Sequence, residues 1–162
     1  MHESFSVHSN MDDSSISDAY FMQCALDQAK LCIPTQSAYN VGCIIVQGDV
    51  IVSTGYSREL PGNTHAEECA LHKIQDDQKI NNVILYTTME PCSRRLSKKE
   101  SCVIKCIQSA KIKRIVMAIH EPNTFVKDCT GKSLLQNAGI QVHVMSEFAA
   151  QALEVNGHLK EN

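Results

Sequence analysis

His65-Ala66-Glu67, followed by Glu90-Pro91-Cys92 and then by Cys102, arranges one imidazole, two thiols and a nearby carboxylate in an order that could do chemistry. A structural zinc site normally takes four protein ligands, whereas His65, Cys92 and Cys102 would supply three and leave the fourth position to water. Zinc binds thiolate at about 2.3 Å and imidazole at about 2.0–2.1 Å, so these residues must converge within a few ångströms. Bound zinc lowers the pKa of water to about 7, which provides a nucleophile at neutral pH. Glu67, two residues from the imidazole, is the candidate to shuttle protons beside it, a role typically worth roughly 100- to 10,000-fold in rate. The pattern points to metal-assisted hydrolysis.

Other readings of the same residues stand beside this one. Thr64-x-x-Glu67 is also a capping box, in which Glu67 merely satisfies a backbone N–H at a helix start. Read alone, the cap is favoured; the Pro-Cys and Cys elements downstream favour proton transfer, and the two roles are compatible. His65, Cys69 and His72 fall at i, i+4 and i+7, on one helix face that could offer three ligands. The plainer account packs Cys69 against a sheet and leaves His72 at the edge. Cys106, one turn beyond Cys102, could replace it as a ligand. A Cys92–Cys102 disulfide is disfavoured in a reducing compartment.

The elements that must position these groups can be read from periodicity. Residues 1–17 are rich in Ser, Asp, Asn and His and read as a tail, with one domain over 18–162. From Asp18, the residues Phe21, Met22, Ala25, Leu26 and Ala29 recur at helical spacing, and Pro34 closes that element. Val41–Val46 and Val50–Thr54 are β-branched runs joined by Gln47-Gly48-Asp49, a hairpin with glycine in the turn. A helix is expected from about Thr64 to Ile74. Residues 82–87 read as a buried strand, 102–110 as a helix, 112–118 as a strand, 131–137 as a helix, 140–144 as a strand and 146–155 as a closing helix. This alternation predicts a three-layer α/β/α domain around a mixed five-stranded sheet whose first two strands are antiparallel. If the helices near Thr64 and Ser101 aim their N-termini at one spot, their dipoles favour thiolate over thiol.

Composition bounds the function. The 162 residues and 43% hydrophobic content suit a single domain with its own core and leave no room for a second catalytic domain. A net charge of -3, four Tyr, four Phe and no Trp argue against a broad basic, aromatic-lined nucleic-acid surface. The N-terminus lacks the apolar run of a signal peptide, so the eight cysteines are expected to be reduced. Cys24, Cys32 and Cys43 lie in apolar segments and read as small buried hydrophobes. No stretch approaches the roughly 18 apolar residues of a membrane span. A cytoplasmic protein is expected, with nuclear presence also compatible.

With these residues placed, the chain resembles the cytidine-deaminase-like superfamily, whose zinc-dependent members carry His-x-Glu and Pro-Cys elements. Within it the chain is similar to the riboflavin-biosynthesis pyrimidine deaminases, particularly fungal members, from about Asp18 to His158. The matching pieces are Val41-Gly42-Cys43-Ile44-Ile45-Val46, His65-Ala66-Glu67-Glu68, Thr88-Met89-Glu90-Pro91-Cys92-Ser93, Glu121-Pro122-Asn123, Gly131 and Ala138-Gly139-Ile140. Nucleoside and tRNA deaminases usually separate their two cysteines by two residues, whereas nine stand here, Ser93 to Ser101. Relative to the bacterial pattern Asn-Pro-x-Val-Gly, Ala38-Tyr39-Asn40-Val41-Gly42 places alanine where the asparagine stands. Asn40 from two positions later, or Tyr39, is left to do its work. One residue is also added between Cys102 and Ile112, and one between Val126 and Gly131.

The resemblance implies hydrolytic deamination of a phosphorylated 2,5-diaminopyrimidinone carrying a ribitylamino or ribosylamino side chain, with Zn2+ held by His65, Cys92 and Cys102 and Glu67 as proton shuttle. The fungal likeness favours the ribityl form. The loop between the cysteines holds Arg94, Arg95, Lys98 and Lys99, and arginine can grip phosphate oxygens bidentately. Arg94 and Arg95 are therefore candidates for the phosphate; a solvated loop is the plainer reading. Asn40 is a candidate for orienting the ring and Asn123 for holding a loop over it. No reductase follows the deaminase-like segment, so any reduction is expected on another protein. Dimers and tetramers are both common in this superfamily, and a homodimer is compatible with the resemblance. The alternatives are a deaminase of another nucleotide, nucleobase or tRNA adenosine, or a noncatalytic zinc-stabilised interaction module.

Overall fold

The computed structural model describes residues 13–95, 97, 99–122 and 130–159. The element order is α1 (Asp13–Ala29), β1 (Gly42–Gln47), β2 (Val50–Tyr56), α2 (Ala66–His72), β3 (Val83–Met89), α3 (Cys102–Ser109), β4 (Ile112–Ile119), α4 (Gly131–Asn137), β5 (Gln141–Val144) and α5 (Ala149–Glu154). Short 3₁₀ turns at Ser146–Phe148 and Gly157–Leu159 flank α5. The strands form one mixed sheet in the order β2-β1-β3-β4-β5. β1 runs antiparallel to both β2 and β3, while β3, β4 and β5 are parallel.

Alternation along the strands divides the core in two, because successive side chains leave a strand on opposite faces. Cys43, Ile45, Val83, Leu85 and Ile115 pack against α2, α3 and α4 through Ala66, Ala70, Val103, Cys106 and Leu135. Ile44, Val46, Tyr86, Val116 and Ala118 pack against α1 and α5 through Phe21, Met22, Ala25, Leu26 and Ala152. The expected three-layer α/β/α architecture and five-stranded sheet are thus present. Among the described residues no helix is long and apolar enough to cross a membrane.

Two boundaries differ from the sequence-based expectation in an instructive way. α1 begins at Asp13, five residues before Asp18, where the apolar period starts. An apolar period marks the buried face of a helix, whereas the backbone hydrogen bonding that sets its start leaves no such period in the sequence. Residues 1–12 of the expected tail lie outside the described residues. The closing segment is a 3₁₀ turn followed by a six-residue helix instead of one continuous helix.

Helix placement near the site is set by close backbone approach. A Cβ at Gly55 would lie 2.2 Å from the Ala66 carbonyl oxygen, so only glycine lets the first turn of α2 rest on β2. A Cβ at Gly131 would lie 2.1 Å from the Pro91 carbonyl oxygen, so the start of α4 sits directly against the Pro91-Cys92 loop.

Candidate active site

The three candidate metal ligands come from two helix starts and one strand end. His65 is the N-cap of α2, with extended backbone angles, and Cys102 is the first residue of α3. Cys92 follows β3, three residues beyond Met89. Ser101 caps α3, its hydroxyl accepting the Ile104 N–H at 3.3 Å. The next N–H groups of that turn are aimed at Cys92: the Cys102 amide donates to Cys92 Sγ at 3.3 Å and the Val103 amide to the Cys92 carbonyl at 3.1 Å. Helix N-terminal N–H groups facing sulfur favour thiolate.

His65 Nδ1 lies 3.5 Å from Cys92 Sγ and 3.3 Å from Cys102 Sγ, and the three donor atoms all fall within 4.8 Å of one another. Tetrahedral zinc with ordinary bond lengths would set nitrogen and sulfur ligands about 3.6 Å apart. The donor set and its spacing therefore fit zinc. The neighbouring Cys102 thiol lowers the pKa of Cys92, helped by His65 against burial, so that Cys92 is the one to give up its proton, and the same pairing raises the pKa of Cys102, where burial adds to it. A cation replaces such a proton directly.

The other ligand sets separate in space. Cys69 and Cys106 are fully buried in the apolar core, and His72 is exposed at the end of α2. Among the described residues, the group able to hold a metal is His65, Cys92 and Cys102. All the described cysteines are free thiols, Cys92 and Cys102 among them.

The capping box is present, but one residue later than Thr64-x-x-Glu67. His65 takes the N-cap, and its backbone N–H donates to Glu68 Oε1 at 3.1 Å. Thr64 turns away, its hydroxyl donating to the Leu60 carbonyl at 2.8 Å. With Glu68 capping, Glu67 faces the same cavity as His65 and Cys92. It is only 3% exposed, and its Oε1 accepts the Thr87 hydroxyl at 2.7 Å. Burial raises the pKa of Glu67, while the Thr87 hydrogen bond and the His65 ring oppose that rise.

Arg94 and Arg95 both line the cavity, in different states. The Arg94 side chain is exposed at the cavity edge. Arg95 is buried; it donates to Glu68 Oε1 at 3.0 Å and to the Asn63 carbonyl at 2.8 Å, and its Nε has no partner among the described residues. Lys99 bonds the Gly62 carbonyl, and Lys98 lies outside the described residues.

The structure does not bring Asn40 to the cavity wall, which is formed there by Ala38 and Tyr39. Asn40 Oδ1 accepts from Arg58 at 2.6 Å, its side-chain amide donates to the Val155 carbonyl at 3.2 Å, and its backbone N–H donates to Asn156 Oδ1 at 2.6 Å. The amide is spent on joining three segments of chain. Asn123 lies outside the described residues.

Three contributors are given no role by motif reading. Arg58 lines the cavity with a left-handed backbone (φ 65°) and ties down the preceding loop through the Tyr39 and Ile33 carbonyls, each at 3.1 Å. Glu90, buried behind Cys92, accepts the Glu121 N–H at 3.1 Å and the Lys132 N–H at 2.8 Å, so one carboxylate fixes both the end of β4 and the start of α4. Thr87 holds Glu67. The usable signal was a hydroxyl in the apolar run of β3, since a buried polar group requires a partner.

Comparison with known proteins agrees with this geometry. The family description "Cytidine and deoxycytidylate deaminase zinc-binding region" matches residues 15–119. The chain is 50% identical over 143 residues to the diaminohydroxyphosphoribosylamino-pyrimidine deaminase of Schizosaccharomyces pombe, covering 85% of this chain and 35% of that protein. It spans about a third of the length of this and other curated relatives. The crystal structure of Aspergillus oryzae Rib2 deaminase, a C-terminal deletion mutant, superposes with a TM-score of 0.78 at 31% identity over 90% of this chain and 93% of that one. The same Aspergillus protein in complex with DARIPP gives a TM-score of 0.76 at 32% identity, covering 86% of this chain and 89% of that one. Family description, sequence relatives and site geometry agree: the chain belongs to the family of the cytidine and deoxycytidylate deaminase zinc-binding region, and its likeness within that family is to the riboflavin-biosynthesis pyrimidine deaminases.

Proposed function

We propose that this chain is a zinc-dependent hydrolytic deaminase of a phosphorylated 2,5-diamino-6-(ribitylamino or ribosylamino)pyrimidin-4-one, converting the C2 amine to a carbonyl with release of ammonia. The observation that carries the reading is the meeting of His65 Nδ1 with the Cys92 and Cys102 thiols at a cavity that His65, Cys92 and the buried Glu67 line. Zinc held by these three residues would supply Lewis-acid activation of water at neutral pH.

The remaining chemistry belongs to the chain's own groups. Glu67 takes one proton from the attacking water and gives it to the ring nitrogen as water adds at C2; it then takes the remaining proton of the added hydroxyl and gives it to the amine, so the C–N bond breaks, the carbonyl forms and ammonia leaves. A carboxyl whose pKa is raised by burial suits a group that must both accept and give a proton. Backbone groups around Pro91 orient the ring. Arg94, exposed where it lines the cavity, is better placed than the buried Arg95 to take the phosphate. The S. pombe relative and the Aspergillus protein with DARIPP support this substrate class. A homodimer in the cytoplasm completes the reading.

The test is ammonia release by the zinc-loaded protein from the ribityl and ribosyl precursors, phosphorylated and not, beside cytidine, its monophosphate and guanine, with Glu67→Ala as control. Turnover of a diaminopyrimidine that vanishes in the mutant supports the proposal and identifies the side chain. Turnover confined to another substrate reassigns the enzyme, and inertness throughout favours a noncatalytic module.

A further inference from the structure

Thr87 is fully buried in the middle of the sheet, on the face that carries α2, and its hydroxyl touches a carboxylate on another element. Its Oγ1 lies 2.7 Å from Glu67 Oε1 and 3.0 Å from the Met89 carbonyl oxygen, both of which are acceptors. A hydroxyl has one proton, and the shorter contact to a carboxylate is the stronger claim on it. Cys43 and Cys106, close enough to Glu67 to feel its charge, offer only thiols. The terminal torsion of a glutamate is broad, so packing alone leaves the carboxylate plane free to turn.

We infer that Thr87 is a positioning residue for the deamination: its hydroxyl fixes Oε1 of Glu67 and thereby leaves Oε2 as the oxygen that carries the proton between water and substrate. Thr87 acts entirely through Glu67. Their anchoring is rigid, because Thr87 sits in a strand paired on both sides, with Cys43 of β1 and Met117 of β4. An oxygen placed by sheet register keeps its distance to the reacting atoms from one turnover to the next. Misplacement by about 1 Å at such a site can cost on the order of 100-fold.

The inference rests on the deaminase reading above, and two measurements keep them separable. In steady-state kinetics, Thr87→Val, which matches threonine in shape but lacks the hydroxyl, is expected to lower kcat by about 10- to 100-fold while KM and zinc content stay within about twofold. Thr87→Ser, which keeps the hydroxyl, restores kcat to within about threefold of the parent. The second measurement needs no substrate: thermal unfolding of the zinc-loaded parent, Thr87→Val, Glu67→Ala and the double variant. The Tm loss of Thr87→Val is expected to be a few degrees in the parent and to shrink below about 1 °C when Glu67 is absent. An unchanged kcat in Thr87→Val, equal kcat losses in the Val and Ser variants, or additive Tm shifts would each overturn the role of Thr87. If the parent itself turns over none of the substrates, the deaminase reading fails, and the unfolding cycle still decides whether Thr87 holds Glu67.

Discussion

Tyr86 and Thr87, neighbours on β3, send their hydroxyls to opposite faces of the sheet, and each meets a buried carboxylate. On the α1 face, Asp18 accepts the Tyr86 hydroxyl at 2.6 Å and a two-pronged contact from Arg114 at 3.0 and 2.6 Å. On the α2 face, Glu67 accepts the Thr87 hydroxyl and faces a cavity instead of a guanidinium. Burial pushes both carboxyls up. At Asp18, the hydrogen bonds from Arg114 and Tyr86 outweigh burial and hold the pKa below its ordinary value; at Glu67 burial prevails. A fully satisfied carboxylate staples a helix to a sheet, whereas one left partly unanswered is available for proton transfer. Environment, with the residue type nearly constant, separates the two roles.

The largest expected effect breaks the active side of this pair. Glu67→Gln keeps size and hydrogen bonding but removes the proton shuttle, so turnover should fall about 100- to 10,000-fold with zinc content and Tm retained. Ammonia release together with metal analysis measures this, and substantial residual turnover would mean that another group moves the proton.

Asp18→Asn should do the converse: kcat per folded molecule unchanged, and stability lower by about 2–3 kcal/mol, since Arg114 loses its charge partner in a part-buried site. Calorimetry would read this as a Tm drop of roughly 5–10 °C. Its pH signature has a definite sign. The folded pKa of Asp18 lies below its unfolded value, so the unfolded chain binds more protons between the two, and stability rises with pH across that window. The contribution is fully present above the unfolded value and is lost as pH falls through the folded one. Asp18→Asn should therefore flatten the acid limb of a stability–pH curve; an unchanged limb would show that the staple contributes nothing there.

Smaller effects sharpen the same contrast within the site. Arg94→Ala should raise KM for a phosphorylated substrate about 10-fold, near 1.4 kcal/mol, with kcat little altered and no effect on an unphosphorylated analogue. Loss of stability instead of affinity would assign Arg94 a role like that of Arg95. His72→Ala, at an exposed helix end, should change zinc affinity not at all and stability by less than about 0.5 kcal/mol; weakened zinc binding would reopen the single-helix ligand set.

Much of the site was legible because its chemistry is written in residue types. His65, Cys92 and Cys102 could be chosen over Cys69 and His72 from their order alone, and the alternating runs of β1, β3 and β4 announced a sheet. Helix limits were less legible, since α1 starts five residues before its apolar face does. Cap choice was also beyond reach: Thr64 and His65 are adjacent, and a one-residue shift of the α2 start decided that Glu68 caps the helix while Glu67 turns to the cavity. Asn40 shows the same limit for a polar side chain, one suited to a ligand whose bonds to Arg58 and the C-terminal segment no local pattern announces.

The sequence by itself named the candidate donor set and the candidate proton shuttle and determined the layered fold, because ligand chemistry and strand alternation depend on residue identity and local spacing. Tertiary structure decided which carboxylate is answered and which is left poised, which arginine is buried and which reaches the cavity edge, and that Thr87 meets Glu67. Those outcomes depend on distances between residues remote in the chain, set by sheet register and by the close approach of helices at Gly55 and Gly131. No local pattern encodes such distances.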